Sequence, residues 1–354
     1  MRTIGHFIDG QNIAGTSGRE ADVFLPMTGE VQGRVALANA AEVDAAIANA
    51  KAAQPAWAAV NPQRRARVMM KFLELVQREY DELAELLARE HGKTIPDARG
   101  DIQRGLEVVE FCTGIPHLLK GEFTEGAGPG IDLHSIRQPL GVVAGITPFN
   151  FPAMIPLWKA APAIACGNAF ILKPSERDPG VPMRIAELFL EAGLPKGIFN
   201  VINGDKEAVD ALLDHPDIEA IGFVGSTQIA HYIYSRGCAN EKRVQCFGGA
   251  KNHMIIMPDA DMDRAVDALI GAGYGSAGER CMAISVAVPV GEGTADTLME
   301  KLVPRVESLK VGPSTDPSAD YGPLVTAQAL DRVRSYVDLG LEEGATLTVD
   351  GRGF

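Results

Sequence analysis

Residues 141–178 read GVVAGITPFNFPAMIPLWKAAPAIACGNAFILKPSERD and contain two short β-branched or aromatic runs, Val142–Ile146 and Ala169–Leu172. The same kind of run returns at Phe199–Ile202, Ile218–Val224 and Arg243–Gln245, and helical stretches separate the runs. This alternation predicts an α/β fold in which a parallel sheet is doubly wound, with helices on both faces. Such sheets bind ligands beyond the carboxyl ends of their strands, so the loops after the runs are the places to look for chemistry.

The sequence before residue 141 has a different organisation. Short apolar stretches and turn residues in the first forty residues predict a small β element. Apolar residues at three- and four-residue spacing predict an amphipathic helix over Pro62–His91, ended by Gly92. A second helical stretch covers about Asp97–Leu119, and the period-two pattern within Gly121–Gln138 predicts an arm or hairpin.

Composition narrows the classes of function. The formal net charge of -13 disfavours nucleic acid and anionic membrane as partners, because both require a basic surface. The five cysteines are scattered without paired spacing, which argues against a disulfide framework and against a metal site. We read no signal peptide at the N-terminus and no apolar run long enough for a membrane span, so we expect a cytoplasmic protein.

Two loops after the first strands carry polar residues. In Thr-Pro-Phe-Asn-Phe-Pro (147–152), two prolines hold Asn150 in a rigid loop, where its amide either donates to an oxyanion or caps a turn. In Lys-Pro-Ser-Glu (173–176), Lys173 and Glu176 either contact a ribose or phosphate or belong to a solvated loop.

Two later segments are similarly ambiguous when taken singly. Gly-Ser-Thr (225–227) opens a helix and offers N–H groups to a pyrophosphate, or is an ordinary helix start. Cys281 follows Arg280 and the glycine-rich run Gly271–Gly275, which predicts a loop. The arginine would favour the thiolate of Cys281, although most cysteines are buried hydrophobic residues.

In this order, and with Gly-Gly-Ala-Lys (248–251) and Gly-Glu-Arg-Cys (278–281), these motifs resemble the aldehyde dehydrogenase superfamily over essentially the whole chain. The resemblance implies a Rossmann-like NAD domain and a second α/β catalytic domain. It implies that Cys281 is the nucleophile and that Asn150 and the Cys281 backbone N–H form the oxyanion hole. It also implies that NAD contacts Thr147, Phe149, Lys173, Glu176, Arg177, Ser226 and Gly248.

One departure from the family pattern concerns deacylation. Hydrolytic members have a glutamate four residues before the lysine that corresponds to Lys251, and this chain has Phe247 there. Phenylalanine cannot act as a general base toward water, so the thioester on Cys281 would persist until coenzyme A attacks it. A hydrolytic enzyme that uses another base, acting on another acid semialdehyde, is the alternative.

The segments around Lys251 and Cys281 resemble methylmalonate (malonate) semialdehyde dehydrogenases in particular. That resemblance implies that Arg104 and Arg280 hold the substrate carboxylate, since a guanidinium fork suits a carboxylate; for Arg104 the alternative is a surface helical arginine. It further implies loss of carbon dioxide to give propionyl-CoA or acetyl-CoA, and a place in valine and inositol catabolism.

The resemblance also predicts domain limits. An NAD-binding domain covers 1–120 and 139–246, a β oligomerisation arm covers 121–138, and a catalytic domain covers 247–354. Family members continue beyond the residue that corresponds to Phe354, so we expect the catalytic domain to be C-terminally incomplete and keep an inactive nucleotide-binding fragment as a further alternative. The expected assembly is a homo-oligomer, a dimer or tetramer, with the semialdehyde and coenzyme A as small-molecule partners.

Overall fold

The computed structural model describes residues 2–353. The chain begins with the strands β1 (Arg2–Ile4), β2 (His6–Ile8), β3 (Gln11–Ile13), β4 (Glu20–Leu25) and β5 (Glu30–Ala36). There follow the helices α1 (Ala40–Ala58), α2 (Pro62–Arg78), α3 (Tyr80–His91), α4 (Ile95–Thr113) and α5 (Ile115–Leu118), then the hairpin of β6 (Phe123–Gly128) and β7 (Ile131–His134).

The central part of the chain alternates strand and helix. Its elements are β8 (Val142–Ile146), α6 (Met154–Ala165), β9 (Ala169–Lys173), α7 (Gly180–Glu191), β10 (Phe199–Val201), α8 (Lys206–Asp214), β11 (Ile218–Val224), α9 (Thr227–Ala239) and β12 (Arg243–Phe247). The last part comprises β13 (Asn252–Ile256), α10 (Met262–Tyr274), β14 (Ile284–Pro289), α11 (Glu292–Glu307) and α12 (Ala327–Glu342).

The predicted doubly wound sheet is confirmed. Its strands lie in the order β12-β11-β8-β9-β10-β2-β3, and β8 to β12 pair in parallel. All residues of β8 and β9 are buried, as expected for strands covered on both faces. The chain runs outward from β8 to β10 on one side and continues through β11 and β12 on the other. The strand order therefore reverses between β8 and β11, and ligands of such sheets bind at this switch point.

The chain divides into two compact units. Unit 1 consists of Met1–Val23, Gln32–Leu86 and Arg99–Gly248, and it contains the seven-stranded sheet. Unit 2 consists of Phe24–Val31, Leu87–Ala98 and Gly249–Phe354. Its parallel pair β13 and β14 packs on α10 and α11 around a small core of Ile256, Val266, Leu269 and Leu298.

These units do not contain the same residues as the predicted domains. Residues 24–31 and 87–98 group with unit 2, although the prediction placed them in the first domain. The boundary near the end of the sheet follows Gly248 and not Cys246, and the hairpin of β6 and β7 groups with unit 1.

Three local predictions were wrong in detail. The helix predicted over Pro62–His91 breaks at Glu79, whose backbone leaves the helical region (φ -103°, ψ 18°) while its carboxylate accepts two hydrogen bonds from Arg184, at 2.6 and 2.7 Å. The helical stretch to Leu119 is interrupted at Gly114. The glycine-rich run Gly271–Gly275 is not a loop, because α10 continues to Tyr274.

Candidate active site

The loop between β8 and α6 is fixed at its start by the neighbouring strand. The Thr147 N–H donates to the Lys173 carbonyl oxygen at 3.1 Å. Thr147 is buried, and its Oγ1 has no hydrogen-bond partner among residues 2–353. Asn150 is half-buried in the middle of the loop with its Oδ1 out of contact with solvent, and Phe151 packs on Met154 and Ile155 at the start of α6.

The loop after β9 lies beside the first loop. The Arg177 guanidinium stacks over the Phe149 ring, 5.0 Å from its centroid. The buried Lys173 ammonium lies 3.4 Å from the Glu176 carboxylate. Five of the predicted NAD contacts (Thr147, Phe149, Lys173, Glu176 and Arg177) thus belong to two adjacent loops that touch each other at two points.

The other two predicted NAD contacts follow β11 and β12. Ser226 is the N-cap of α9, and its side chain makes no capping hydrogen bond. Gly248 packs against Thr227 so closely that a Cβ there would lie 3.1 Å from the Thr227 Cα. Since β12, β11, β8 and β9 are neighbours and parallel, all seven predicted positions lie at one edge of the sheet, around the switch point.

Sequence reasoning missed Lys159, a lysine of α6 that reaches the same sheet. Gly145 on β8 and Gly222 on β11 are register partners, and both leave room for this side chain. A Cβ on Gly145 would lie 3.2 Å from the Lys159 Cδ, and one on Gly222 would lie 3.0 Å from its Nζ. Burial lowers the pKa of Lys159 to about 8, against an opposing influence of Cys246. The paired glycines were the available signal, because each opens the sheet surface at the same level.

Cys281 is an exposed thiol in the turn between the 3₁₀ segment Gly275–Gly278 and β14. The side chain of Asn252 fastens this turn to the start of β13. Its Nδ2 donates to the carbonyl oxygens of Cys281 and Ala283, both at 2.9 Å. The sequence contains Asn252 in the Lys-Asn-His segment but gives no sign of this contact, which joins residues 29 and 31 positions apart.

Arg280 points into unit 2. Its guanidinium forms an ion pair with Asp97 and donates to the Gly271 carbonyl oxygen at 3.2 Å. A Cβ on Gly275 would lie 2.6 Å from the Arg280 Nη1, so only glycine leaves space for the guanidinium here. Nearby, burial first, and then the charges of Lys93 and Arg280, hold the pKa of His91 well below its ordinary value.

The backbone just before Arg280 and Cys281 is strained. Ser276 and Ala277 both have left-handed conformations, with φ of 53° and 54°, and Gly278 follows with φ of 77°. Non-glycine residues pay about 1–2 kcal/mol each for this conformation. The Glu279 N–H donates to the Ser276 carbonyl oxygen at 2.9 Å and closes the turn that leads to Cys281.

The two arginines predicted to hold the substrate carboxylate occupy different settings. Arg104, on α4 in unit 1, has a side chain that is 60% exposed, and its Nε lies 3.9 Å from the Glu107 carboxylate. Arg280 belongs to unit 2, where its guanidinium is already paired with the Asp97 carboxylate. Phe247, the last residue of β12, is 53% exposed, and its carbonyl oxygen accepts the Gly225 N–H at 3.0 Å.

Comparisons with known proteins identify the family of this chain. The aldehyde dehydrogenase family model matches residues 13–354. The malonate-semialdehyde dehydrogenase of Pseudomonas aeruginosa is 56% identical over 354 residues, which are 100% of this chain and 71% of that protein. The acylating mitochondrial methylmalonate-semialdehyde/malonate-semialdehyde dehydrogenase of Rattus norvegicus is 47% identical, over 99% of this chain and 65% of the relative.

Solved structures give the same result. A structure from Sinorhizobium meliloti 1021, complexed with NAD and named for methylmalonate-semialdehyde dehydrogenase, has a TM-score of 0.99 and 70% identity over 100% of this chain and 72% of that chain. The methylmalonate-semialdehyde dehydrogenase of Oceanimonas doudoroffii has a TM-score of 0.97 and 54% identity over 99% and 72%. The predicted family resemblance is confirmed: this chain is a member of the aldehyde dehydrogenase family.

Proposed function

We propose that this chain catalyses the NAD-dependent, CoA-acylating oxidation of malonate or methylmalonate semialdehyde, to acetyl-CoA or propionyl-CoA and carbon dioxide. The observation that carries the proposal is an exposed, anchored thiol at Cys281 in a chain that has phenylalanine at position 247. The thiol can form a thioester, and the phenylalanine offers no base to hydrolyse it. The names of the most similar relatives support the same substrates.

The edge of the seven-stranded sheet fits a dinucleotide. The buried Thr147 Oγ1 without a partner among the described residues, the uncapped start of α9 at Ser226 and the close backbone at Gly248 are features that phosphate and ribose groups use. Lys173 and Glu176 would contact a ribose, while Phe149 and Arg177 border the same loop. When bound, NAD supplies the acceptor for a hydride.

In the proposed reaction, the Cys281 thiolate adds to the aldehyde carbon, and the resulting oxyanion accepts hydrogen bonds from Asn150 and the Cys281 backbone N–H. Loss of hydride from this carbon leaves a thioester on Cys281. The bond to the substrate carboxylate then breaks, carbon dioxide leaves with its electrons remaining on the α-carbon, and that carbon takes a proton from solvent. The thiolate of coenzyme A adds to the thioester carbonyl and expels the Cys281 thiolate.

The substrate carboxylate requires a cation. We assign its principal contact to Arg104, because this guanidinium is exposed and its acidic neighbour is distant, at 3.9 Å. Arg280 contributes less than its position next to the nucleophile suggests, since Asp97 already neutralises it.

The experiment is NADH production from malonate semialdehyde with and without coenzyme A. The expected result is CoA-dependent turnover that Cys281→Ala abolishes and that Cys238→Ala, a change at an exposed cysteine on α9, preserves. NADH with free acid as product in the absence of coenzyme A would support the hydrolytic alternative. A folded protein that binds NAD without turning over would overturn the catalytic proposal for this chain.

We also propose that the chain forms a homo-oligomer through the hairpin of β6 and β7 and works in the cytoplasm. Phe123, Ile131 and Leu133 on the hairpin are large apolar side chains that are more than half exposed, which is typical of an interaction surface. Light scattering of Leu133→Glu should show a smaller particle than the unaltered protein.

The cytoplasmic location is supported by the cysteines. All five are free thiols, as expected in a reducing compartment. Among residues 2–353, no helix is long and apolar enough to cross a membrane.

A further inference from the structure

Helix α6, which follows the Asn150 loop, lacks a cap of its own. Its N-cap residue is Ala153, whose side chain cannot accept a hydrogen bond. The N–H of Met154, the first helical residue, instead donates to Asp101 Oδ1 on α4 at 2.7 Å. Asp101 is 1% exposed, and Met154 is fully buried. A carboxylate at a helix N-terminus satisfies an otherwise unpaired N–H and complements the positive end of the helix dipole.

The contact belongs to a close and specific meeting of α4 with α6. Gly105, one turn after Asp101, approaches α6 so tightly that a Cβ would lie 2.7 Å from the Leu157 Cδ1 and 3.3 Å from the Met154 Cα. The Trp158 indole N–H donates to the Arg104 carbonyl oxygen at 3.0 Å. Because these contacts fix both the distance and the register of the two helices, Asp101 cannot follow a displaced α6.

The loop that carries Asn150 is therefore held at both ends. At its start, the Thr147 N–H is bound to the Lys173 carbonyl oxygen at 3.1 Å. At its end, the Met154 N–H is bound to Asp101 at 2.7 Å. Asn150 lies between the two anchors, and Phe151 beside it is buried against Met154.

We propose that Asp101 is a positioning residue for the oxyanion site: it holds the start of α6 and, through it, the loop that presents Asn150. The same residue ties this loop to the helix that carries Arg104, so the group assigned to the oxyanion and the group assigned to the substrate carboxylate share one buried support. This inference rests on the proposed function, in which Asn150 stabilises the oxyanion.

The test combines two measurements on the full chain: hydrogen–deuterium exchange by mass spectrometry and the rate of NADH formation. Asp101→Ala should raise exchange in residues 147–157 by about 10- to 100-fold, the range expected when a hydrogen bond to a charged group is lost. Exchange in α8 should not change. Asp101→Asn should have a smaller effect, since its amide oxygen still accepts from Met154. Asp316→Ala is the matched control, because the Asp316 carboxylate accepts a backbone N–H (Ser318, 2.8 Å) in an exposed turn.

The rate of NADH formation distinguishes a positioning role of Asp101 from a general loss of folded structure. Asp101→Ala should lower kcat by about 10- to 100-fold, with the affinity for NAD changed by less than about threefold. Added to Asn150→Ala, it should lower kcat by less than about twofold more, because residues that act through one another are not additive. A loss that multiplies fully in the double variant, or unchanged exchange in 147–157, would overturn the inference.

The failure of the proposed function would look different. If Asn150→Ala alone leaves NADH formation unchanged, the oxyanion assignment is wrong, while the exchange measurement still judges whether Asp101 holds the loop. If Asp101→Ala does not fold, Asp101→Asn decides both measurements with the charge removed and the shape retained.

Discussion

Lys159 is a half-buried cation whose cost to the folded state can be measured. Burial lowers its pKa from 10.5 to about 8, and no carboxylate among residues 2–353 forms an ion pair with it. One pKa unit corresponds to about 1.4 kcal/mol, so the ionised lysine costs the folded chain up to about 3 kcal/mol at neutral pH. Lys159→Met keeps the length of the side chain and removes the charge. We therefore expect the variant to have the larger free energy of unfolding.

The pH dependence of the stability difference shows whether the charge of Lys159 causes it. Above pH 10.5 the amine is neutral in both states, and the penalty is absent. Between pH 10.5 and 8, Lys159 is largely protonated in the unfolded chain and largely neutral in the folded chain. The free energy of unfolding of the unaltered protein therefore falls as the pH falls. The advantage of Lys159→Met should accordingly be about 3 kcal/mol at pH 7 and about 1.4 kcal/mol at pH 9.5.

Urea denaturation followed by tryptophan fluorescence suits this measurement, since both tryptophans, Trp57 and Trp158, belong to the same unit as Lys159. Lys120→Met, at an exposed lysine of that unit, is the control and should change the free energy of unfolding by less than about 0.5 kcal/mol. An advantage of Lys159→Met that stays constant with pH would refute the reasoning, because it would come from packing and not from charge.

Three further results are expected. Asp97→Asn removes the carboxylate that neutralises Arg280 and should raise kcat/KM for malonate semialdehyde about 3- to 10-fold relative to the neutral aldehyde propanal. The reason is that the freed Arg280 charge attracts a substrate carboxylate and has no such partner on propanal. An equal change for both aldehydes would argue against this. Phe247→Glu should allow NADH formation without coenzyme A, with free acid as product, whereas Phe247→Gln should not. Ala277→Gly removes left-handed strain at φ 54° and should raise the stability of unit 2 by about 0.5–1 kcal/mol by calorimetry, after the entropy gained by the unfolded chain is deducted; a lower melting temperature would contradict this.

The strands of the large sheet were predictable from the sequence for a physical reason. Val142–Ile146 is buried throughout in a parallel sheet, which requires a continuous apolar run, whereas Ile218–Val224 is only partly buried; the predicted ends of both strands agree with the structure. The break at Glu79 was not predictable in the same way. Apolar periodicity continues through it, and the arginine that its carboxylate binds, Arg184, is 105 residues away.

The same distinction applies to the site. Topology alone places the loops after neighbouring parallel strands at one edge, so the motif residues there could be grouped from the sequence. The supports behind them could not be. Asp101 bonds to a residue 53 positions away, and Asp97 pairs with one 183 positions away. Such contacts depend on how helices meet, and neither spacing nor motif order carries that information.

Arg280 shows how a sequence neighbour and a spatial neighbour differ. Its adjacency to Cys281 suggested both a cation that favours the thiolate and a ligand for the substrate carboxylate. In the folded unit, its guanidinium turns toward Asp97 and the Gly271 carbonyl oxygen, in space that only Gly275 leaves open. A paired charge exerts a much weaker field on a third group than a lone one does. Arg280 therefore fastens the turn that contains Cys281. Under the proposed function, we expect the selectivity for an acidic aldehyde to depend mainly on Arg104, whose guanidinium is exposed and only distantly paired.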